Sequence, residues 1–319
     1  MLHLLVGIDT EGDNQWDAAA RANQRFDNIY ALPRLHSLFA RRSVRPTYLV
    51  THPVVSDPRS ADVLRSLREE GGCEIGAHHH AWETPPVEPE DVGNHIYALA
   101  LPPERFSRQL SALTEAIESA VGARPTSYRS GRFGFSSAHV SVLERAGYLV
   151  ESSVVPLFYE THKGGPAFVE APLEPYFLSY DDTCRPGSSR LLELPVSAAL
   201  HRRYPAWLQH RYARAPWPYT TKRVLRKLGL ARMVWLRPSF SSLDEMKRLA
   251  TRLAADGVPL LNLLFHSSEA IVGGSPYNRT DGEVEAFLDR LDRFIAFAMA
   301  DLRAEPVTFT EFRARFLAS

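Results

Sequence analysis

Leu4-Leu5-Val6-Gly7-Ile8-Asp9-Thr10-Glu11-Gly12-Asp13 is an apolar, partly β-branched run that ends abruptly in acids. It reads as a buried strand whose C-terminal end opens into a polar site. The same pattern recurs down the chain. Short apolar runs at residues 47–50, 73–77, 126–128, 148–150, 191–194 and 260–265 predict six more strands. Between them, helical periods cover residues 26–42, 61–70, 103–121, 137–146, 243–256 and 282–303. Ser242 with Glu245 and Thr280 with Glu283 have the spacing of capping boxes at two helix starts. Strand and helix in alternation predict parallel strands joined by crossover helices, hence an α/β fold. Seven strands favour a closed or nearly closed barrel. A dinucleotide fold is disfavoured, because no G-x-G-x-x-G follows the first strand and no G-x-x-x-x-G-K occurs.

The 319 residues suit one barrel domain with long loops. Two stretches lack a strand or helix period, 155–190 and 201–237, and read as insertions into that domain. With 45% hydrophobic residues, a sizeable core is expected. Two cysteines, Cys73 and Cys184, exclude a disulfide scaffold and a cysteine-only metal site. No apolar run reaches the roughly 20 residues that span a bilayer, and the N-terminus lacks the features of a signal peptide. The expectation is a cytoplasmic protein. Lys plus Arg and Asp plus Glu both number 37, so the formal charge is zero. That argues against a nucleic-acid partner, which demands excess positive charge. The neutrality is a cancellation. Residues 201–237 hold ten Lys and Arg and no acid, leaving the rest of the chain at −10. With Trp207, Trp217 and Trp235 as anchors, this stretch reads either as a solvated basic face or as a lid. Such a lid would hold phosphates, or touch an anionic membrane from its inner side.

The chemistry-bearing residues fall at the strand ends: Asp9 and Glu11, then His78-His79-His80, then Arg129, then His266. In a parallel barrel those ends share one face, where active sites form. Residues two apart on an extended chain point the same way, so His78 pairs with His80, and Asp9 with Glu11. Two imidazoles and one carboxylate make a three-ligand site with an open position, the donor set of a catalytic zinc. One of Asp9 and Glu11 would hold the metal and the other would accept a proton from water; the two roles are interchangeable at this point. His266 is a candidate general acid. Arg129 is a candidate for keeping a carboxylate ionised and oriented. Trp82 reads equally as a hydrophobic lid or a sugar platform.

Taken together, these motifs resemble the polysaccharide deacetylase family with the NodB homology domain, metal-dependent carbohydrate esterases on an irregular (β/α)7 barrel. The branch it most resembles is the WalW-like one. Residues 5–13 are similar to the motif carrying the base and a ligand, and residues 74–86 to the one supplying two histidines. Residues 128–134 are similar to the arginine motif, residues 192–196 to a later strand, and residues 263–269 to the one with the catalytic histidine. Two departures stand out. The acids are Asp9 and Glu11 instead of adjacent aspartates. Residue 82 is Trp, so the second histidine ligand is His80.

The resemblance implies removal of N-acetyl groups from an amino sugar. Glu11, His78 and His80 would hold a divalent metal, most readily Zn2+. Asp9 would be the base, Arg129 its partner and His266 the acid, with Trp82 and Arg132 touching substrate. An intracellular enzyme would meet a surface-polysaccharide precursor, nucleotide- or lipid-linked. Competing expectations are another amide hydrolase on this barrel, a deformylase or an allantoinase-like enzyme that could be metal-free, and a non-catalytic sugar-binding homologue.

Overall fold

The computed structural model describes residues 1–89, 97–215 and 219–318, without the side chains of 219–222. Strand β1 (His3–Thr10) is buried along its whole length, as a strand covered on both faces must be. Around it run β2 (Thr47–Val50), β3 (Glu74–His79), β4 (Ser127–Ser130), β5 (Val150–Glu151), β6 (Tyr176–Phe177) and β7 (Leu192–Glu193). A small pair, β8 (Ala198–Leu200) and β9 (Met233–Trp235), precedes β10 (Leu260–His266) and β11 (Glu305–Pro306). The main sheet has the order β10-β1-β2-β3-β4-β5-β7-β6, with β11 against the start of β1. Every pairing in it is parallel except β6 with β7.

The sheet curls into an irregular barrel of the NodB type. Its open edge is drawn round by single bonds: Ser197 N donates to Asn262 O at 3.2 Å, and Leu264 N to Leu236 O at 3.0 Å. The β8–β9 pair thus sits where a regular strand would close the ring.

The helices are α1 (Ala18–Ala22), α2 (Asp27–Tyr30), α3 (Leu32–Arg41), α4 (His52–Ser56), α5 (Pro58–Glu69), α6 (Pro103–Val121) and α7 (Val140–Arg145), then α8 (Ala206–Arg214), α9 (Tyr219–Lys227), α10 (Leu243–Ala255), α11 (Asp281–Ala300) and α12 (Phe309–Ala318). Leu4, Val6 and Ile8 face outward into the main sheet–helix core with Phe39, Leu113 and Phe294. Leu5, Leu49, Leu260, Phe309 and Phe312 form a second cluster inside the barrel, where α12 plugs the bottom. The next inward positions after Leu5 are Gly7, Asp9 and Glu11, so the barrel interior changes from apolar floor to charged mouth along one strand.

The predicted elements shift at several boundaries. The helix expected over 26–42 is two, α2 and α3, joined at Ala31 with Pro33 in the first turn of α3. The helix expected at 61 begins at Pro58, because Asp57 accepts the Ser60 amide. The pattern at 137–146 begins as a 3-10 turn before α7. Both capping boxes form, at Ser242 and Thr280. β3 and β4 run to His79 and Ser130, so His78, His79 and Arg129 lie inside strands instead of beyond them. The largest correction concerns 201–237. That stretch is mainly the helices α8 and α9 and the strand β9, not loop. Trp217 and the Lys222 side chain lie outside the described residues. Among the described residues no helix is long and apolar enough to cross a membrane.

Candidate active site

At the C-terminal mouth of the barrel, β1, β3, β4 and β10 bring Asp9, Glu11, His78, His80, Arg129 and His266 together. All but Arg129 line a cavity of about 290 Å³, with Trp16, Trp82, Arg132 and Arg237 among its other walls. His79 points the other way, where its Nε2 lies 2.8 Å from Gln109 Oε1 against Phe106.

Glu11 faces both outer nitrogens of the histidine pair. Its Oε2 lies 3.2 Å from His80 Nε2 and 3.8 Å from His78 Nε2. Glu11, His78 and His80 each turn one donor atom to a common point, all within 4.8 Å of one another, and all three residues are buried. His78 Nδ1 sits 3.1 Å from the Arg129 carbonyl. Donation there leaves the Nε2 lone pair facing Glu11, the tautomer a metal ligand needs. His80 Nδ1 lies 2.7 Å from Glu83 Oε1, outside hydrogen-bond geometry but close enough to pair charges. The His80 ring stacks on Trp82 at 4.1 Å.

Gly131 makes room for His80: a Cβ there would stand 2.1 Å from its Cδ2. Burial lowers the His80 pKa, but Glu83 and Glu11 outweigh it and carry it up to about 9. Burial dominates at His78 and takes it down to about 4. A buried carboxylate facing two buried imidazoles, with one donor atom of each within 4.8 Å of the others, fits a divalent ion with mixed N and O ligands.

Asp9 belongs to a different partner. Arg129 is fully buried and crosses the barrel. Its Nη1 donates to Asp9 Oδ1 at 2.7 Å, while Nε donates to Ser152 O at 2.7 Å and Nη2 to Ser152 Oγ at 3.0 Å. Gly7 lets it pass, since a Cβ there would meet Arg129 Nη2 at 2.9 Å. Burial raises the Asp9 pKa, yet Arg129, His78 and His266 overcome it and hold the carboxyl at about 2. Glu11 is likewise lowered: burial raises it, and His266, His80 and His78 prevail.

His266 ends β10 with its Nε2 3.8 Å from Asp9 Oδ2 and 3.6 Å from Glu11 Oε1. Its Nδ1 lies 2.9 Å from Glu269 Oε1. Arg237 Nη2 donates to the same oxygen at 2.6 Å, and Ser239 Oγ donates to Glu269 Oε2. Burial raises Glu269, but Arg237 and His266 hold it at about 2. Sequence reasoning missed this support. Arg237 lies within the basic run of the sequence, and in the fold it is a buried ion-pair partner of Glu269. Glu269 falls in the stretch 263–269, three residues after His266, and that spacing is the available signal. Arg132 has a left-handed backbone (φ 53°) and lies over the Trp82 ring at 4.7 Å. Cys73 is half-buried against the core, as a small hydrophobe would be.

Fold and site thus define a NodB-type α/β barrel with a buried two-histidine, one-carboxylate cluster at its mouth. The family to which the sequence is similar is that of the polysaccharide deacetylases, whose model matches residues 20–150. The matched span holds the histidine and arginine motifs. Solved structures of similar fold include a Mycobacterium smegmatis protein assigned as a polysaccharide deacetylase (17% identity, TM-score 0.58, covering 99% of this chain and 91% of that one). A Parabacteroides distasonis protein assigned as a glycoside hydrolase/deacetylase is 16% identical, with TM-score 0.64 and coverage of 98% and 70%. The PuuE allantoinase is 14% identical, with TM-score 0.56 and coverage of 100% and 90%. At these identities the likeness is one of fold. No curated protein matches the sequence.

Proposed function

We propose that the chain is a metal-dependent N-deacetylase of an amino sugar, residues 1–319 forming one domain with 155–190 and 201–237 as insertions. The observation that carries this is the division of the two acids. Glu11 faces His78 and His80, whereas Asp9 is clamped by Arg129. Glu11, His78 and His80 are the metal ligands in this reading, with Zn2+ the ion best suited to the donor set. Bound there, the ion supplies Lewis-acid polarisation of the amide carbonyl.

Asp9 is the base. Arg129 keeps it ionised at neutral pH and aims its free Oδ2 into the cavity, where it takes the proton of the attacking water. His266 is the acid. Glu269 holds the Nδ1 side of its ring, so Nε2 presents a proton to the departing nitrogen. Water adds its oxygen to the acyl carbon, the C–N bond breaks, and the nitrogen leaves as a free amine beside acetate. Trp82 and Arg132 form the wall against which the sugar ring rests. The substrate in this reading is a surface-polysaccharide precursor, nucleotide- or lipid-linked, met on the cytoplasmic side of the membrane. The basic insertion supports an anionic carrier.

The test is acetate release from acetylated amino sugars by protein as purified, after chelation, and after Zn2+ return. The expected result is loss on chelation and recovery with metal. Full-rate release from metal-free protein refutes the scheme and favours a metal-free amide hydrolase.

A further inference from the structure

A second cavity, of about 630 Å³, adjoins the first. Arg223, Arg226 and Arg232 line it together with Trp235, Phe240 and Tyr277. An aromatic partition joins it to the candidate active site. Tyr277 meets Trp16 edge-on at 5.4 Å, and Trp235 lies 5.9 Å from Phe133. Trp16 and Phe133 both line the catalytic cavity.

The basic charges of the insertion are answered unevenly. Arg203 pairs with Asp256, Arg214 with Glu170, Arg232 with Glu245, and Arg237 with Glu269. Among the described residues, no acid pairs with Arg223 or Arg226. They stand three apart on α9, so both side chains reach one opening. Two unanswered guanidinium groups in one cavity with aromatic side chains make a receptor for a compact dianion. Beside it lies a further cavity of about 250 Å³, mostly apolar, walled by Leu200, Leu208, Leu225 and Leu230. It shares Tyr212 and Ala231 with the basic one. Trp207 on α8, Val224 on α9 and Leu228 just past the end of α9 are exposed.

We propose that Arg223 and Arg226 form a phosphate subsite, which holds the phosphate or diphosphate at the reducing end of the sugar while its acetamide lies in the catalytic cavity. The inference rests on the deacetylase reading for its substrate, but phosphate binding is separable from catalysis. A nucleoside diphosphate and a lipid phosphate share the chemistry; the apolar cavity alongside offers room for an alkyl chain.

The test is calorimetric titration of inorganic pyrophosphate into the wild type, the double variant R223A/R226A and the control R202A. Circular dichroism checks that each variant is folded. The double variant is expected to bind pyrophosphate about tenfold more weakly or worse, and R202A within about twofold of wild type. Equal losses in both variants mean diffuse surface charge and overturn the subsite, as does wild type that binds no pyrophosphate. Competition by uridine diphosphate and by decyl phosphate then identifies the carrier. Displacement by either supports the subsite, and failure of both overturns it. Pyrophosphate binding without acetate release from any sugar sinks the deacetylase reading alone. Acetate release without pyrophosphate binding sinks the subsite alone.

Discussion

Replacing Arg129 with Met tests how the barrel mouth is held together. The guanidinium is fully buried and donates three hydrogen bonds of 2.7–3.0 Å, two to Ser152 and one to Asp9. Asp9 is 3% exposed, and its carboxyl is held at about 2 against an ordinary 3.8. That lowering is worth about 2 kcal/mol, at roughly 1.4 kcal/mol per pKa unit. The sign is that of a depressed acid. The stabilisation is present above the unfolded pKa of 3.8 and is lost as pH falls toward 2.

In R129M the burial penalty on Asp9 stays while its largest opposing charge is gone, so its pKa rises. A buried pair broken on one side costs about 3–5 kcal/mol. In the double variant D9N/R129M neither charge is left unpaired, so it should recover much of that loss. Urea denaturation of wild type, R129M, D9N and the double variant at pH 7 measures the coupling, expected at about 2 kcal/mol or more. A cost for R129M below about 1 kcal/mol, or additive single effects, refutes the claim that Arg129 holds Asp9 ionised. Under the proposed deacetylase reading, acetate release should fall in both single variants and remain low in the double one, because it restores packing but not the Asp9 carboxylate.

The two-residue periodicity of β3 predicts that H78A and H80A lose bound metal on dialysis. H79L should keep it and lose only about 1–3 kcal/mol of stability, because Gln109 is left unpaired; metal content by mass spectrometry separates these outcomes. Gly131→Ala places a methyl 2.1 Å from the His80 ring, so weakened metal affinity in a folded protein is expected, and unchanged affinity would show that His80 is not a ligand. Glu151 and Glu193 are buried together; burial raises both acids, and the Glu151 charge and hydrogen bond push Glu193 up further, while the bond to Glu193 works against the rise at Glu151. A raised acid loses its folded-state advantage as pH climbs above 4.5. Glu193→Gln keeps an acceptor for the Val154 amide and is therefore expected to raise the urea midpoint at pH 8 more than at pH 5. An equal change at both values refutes the buried-acid explanation.

The barrel, and the gathering of most candidate residues at its mouth, were legible in the chain alone, and the reason is local. Apolar runs with β-branched residues specify buried parallel strands, and the period of two puts His78 with His80, and Asp9 with Glu11, whatever the rest of the fold does. Capping boxes at Ser242 and Thr280 are likewise set by neighbours three residues apart.

Other features depended on long-range contact. Asp9 and Glu11 are chemically alike and two residues apart, so local sequence left their roles interchangeable. Their surroundings differ because a guanidinium from β4, 120 positions away, crosses over Gly7 to Asp9, while the imidazoles of His78 and His80 face Glu11. Arg237 sat within a run of cations and looked like surface charge; only the approach of β9 to β10 buries it against Glu269. The basic stretch likewise became distinct arginines only in three dimensions, some neutralised by acids from α10 or the loops and two left facing a cavity. Backbone periodicity is a property of adjacent residues, but the partner of a charge is decided by the tertiary structure that brings distant strands together.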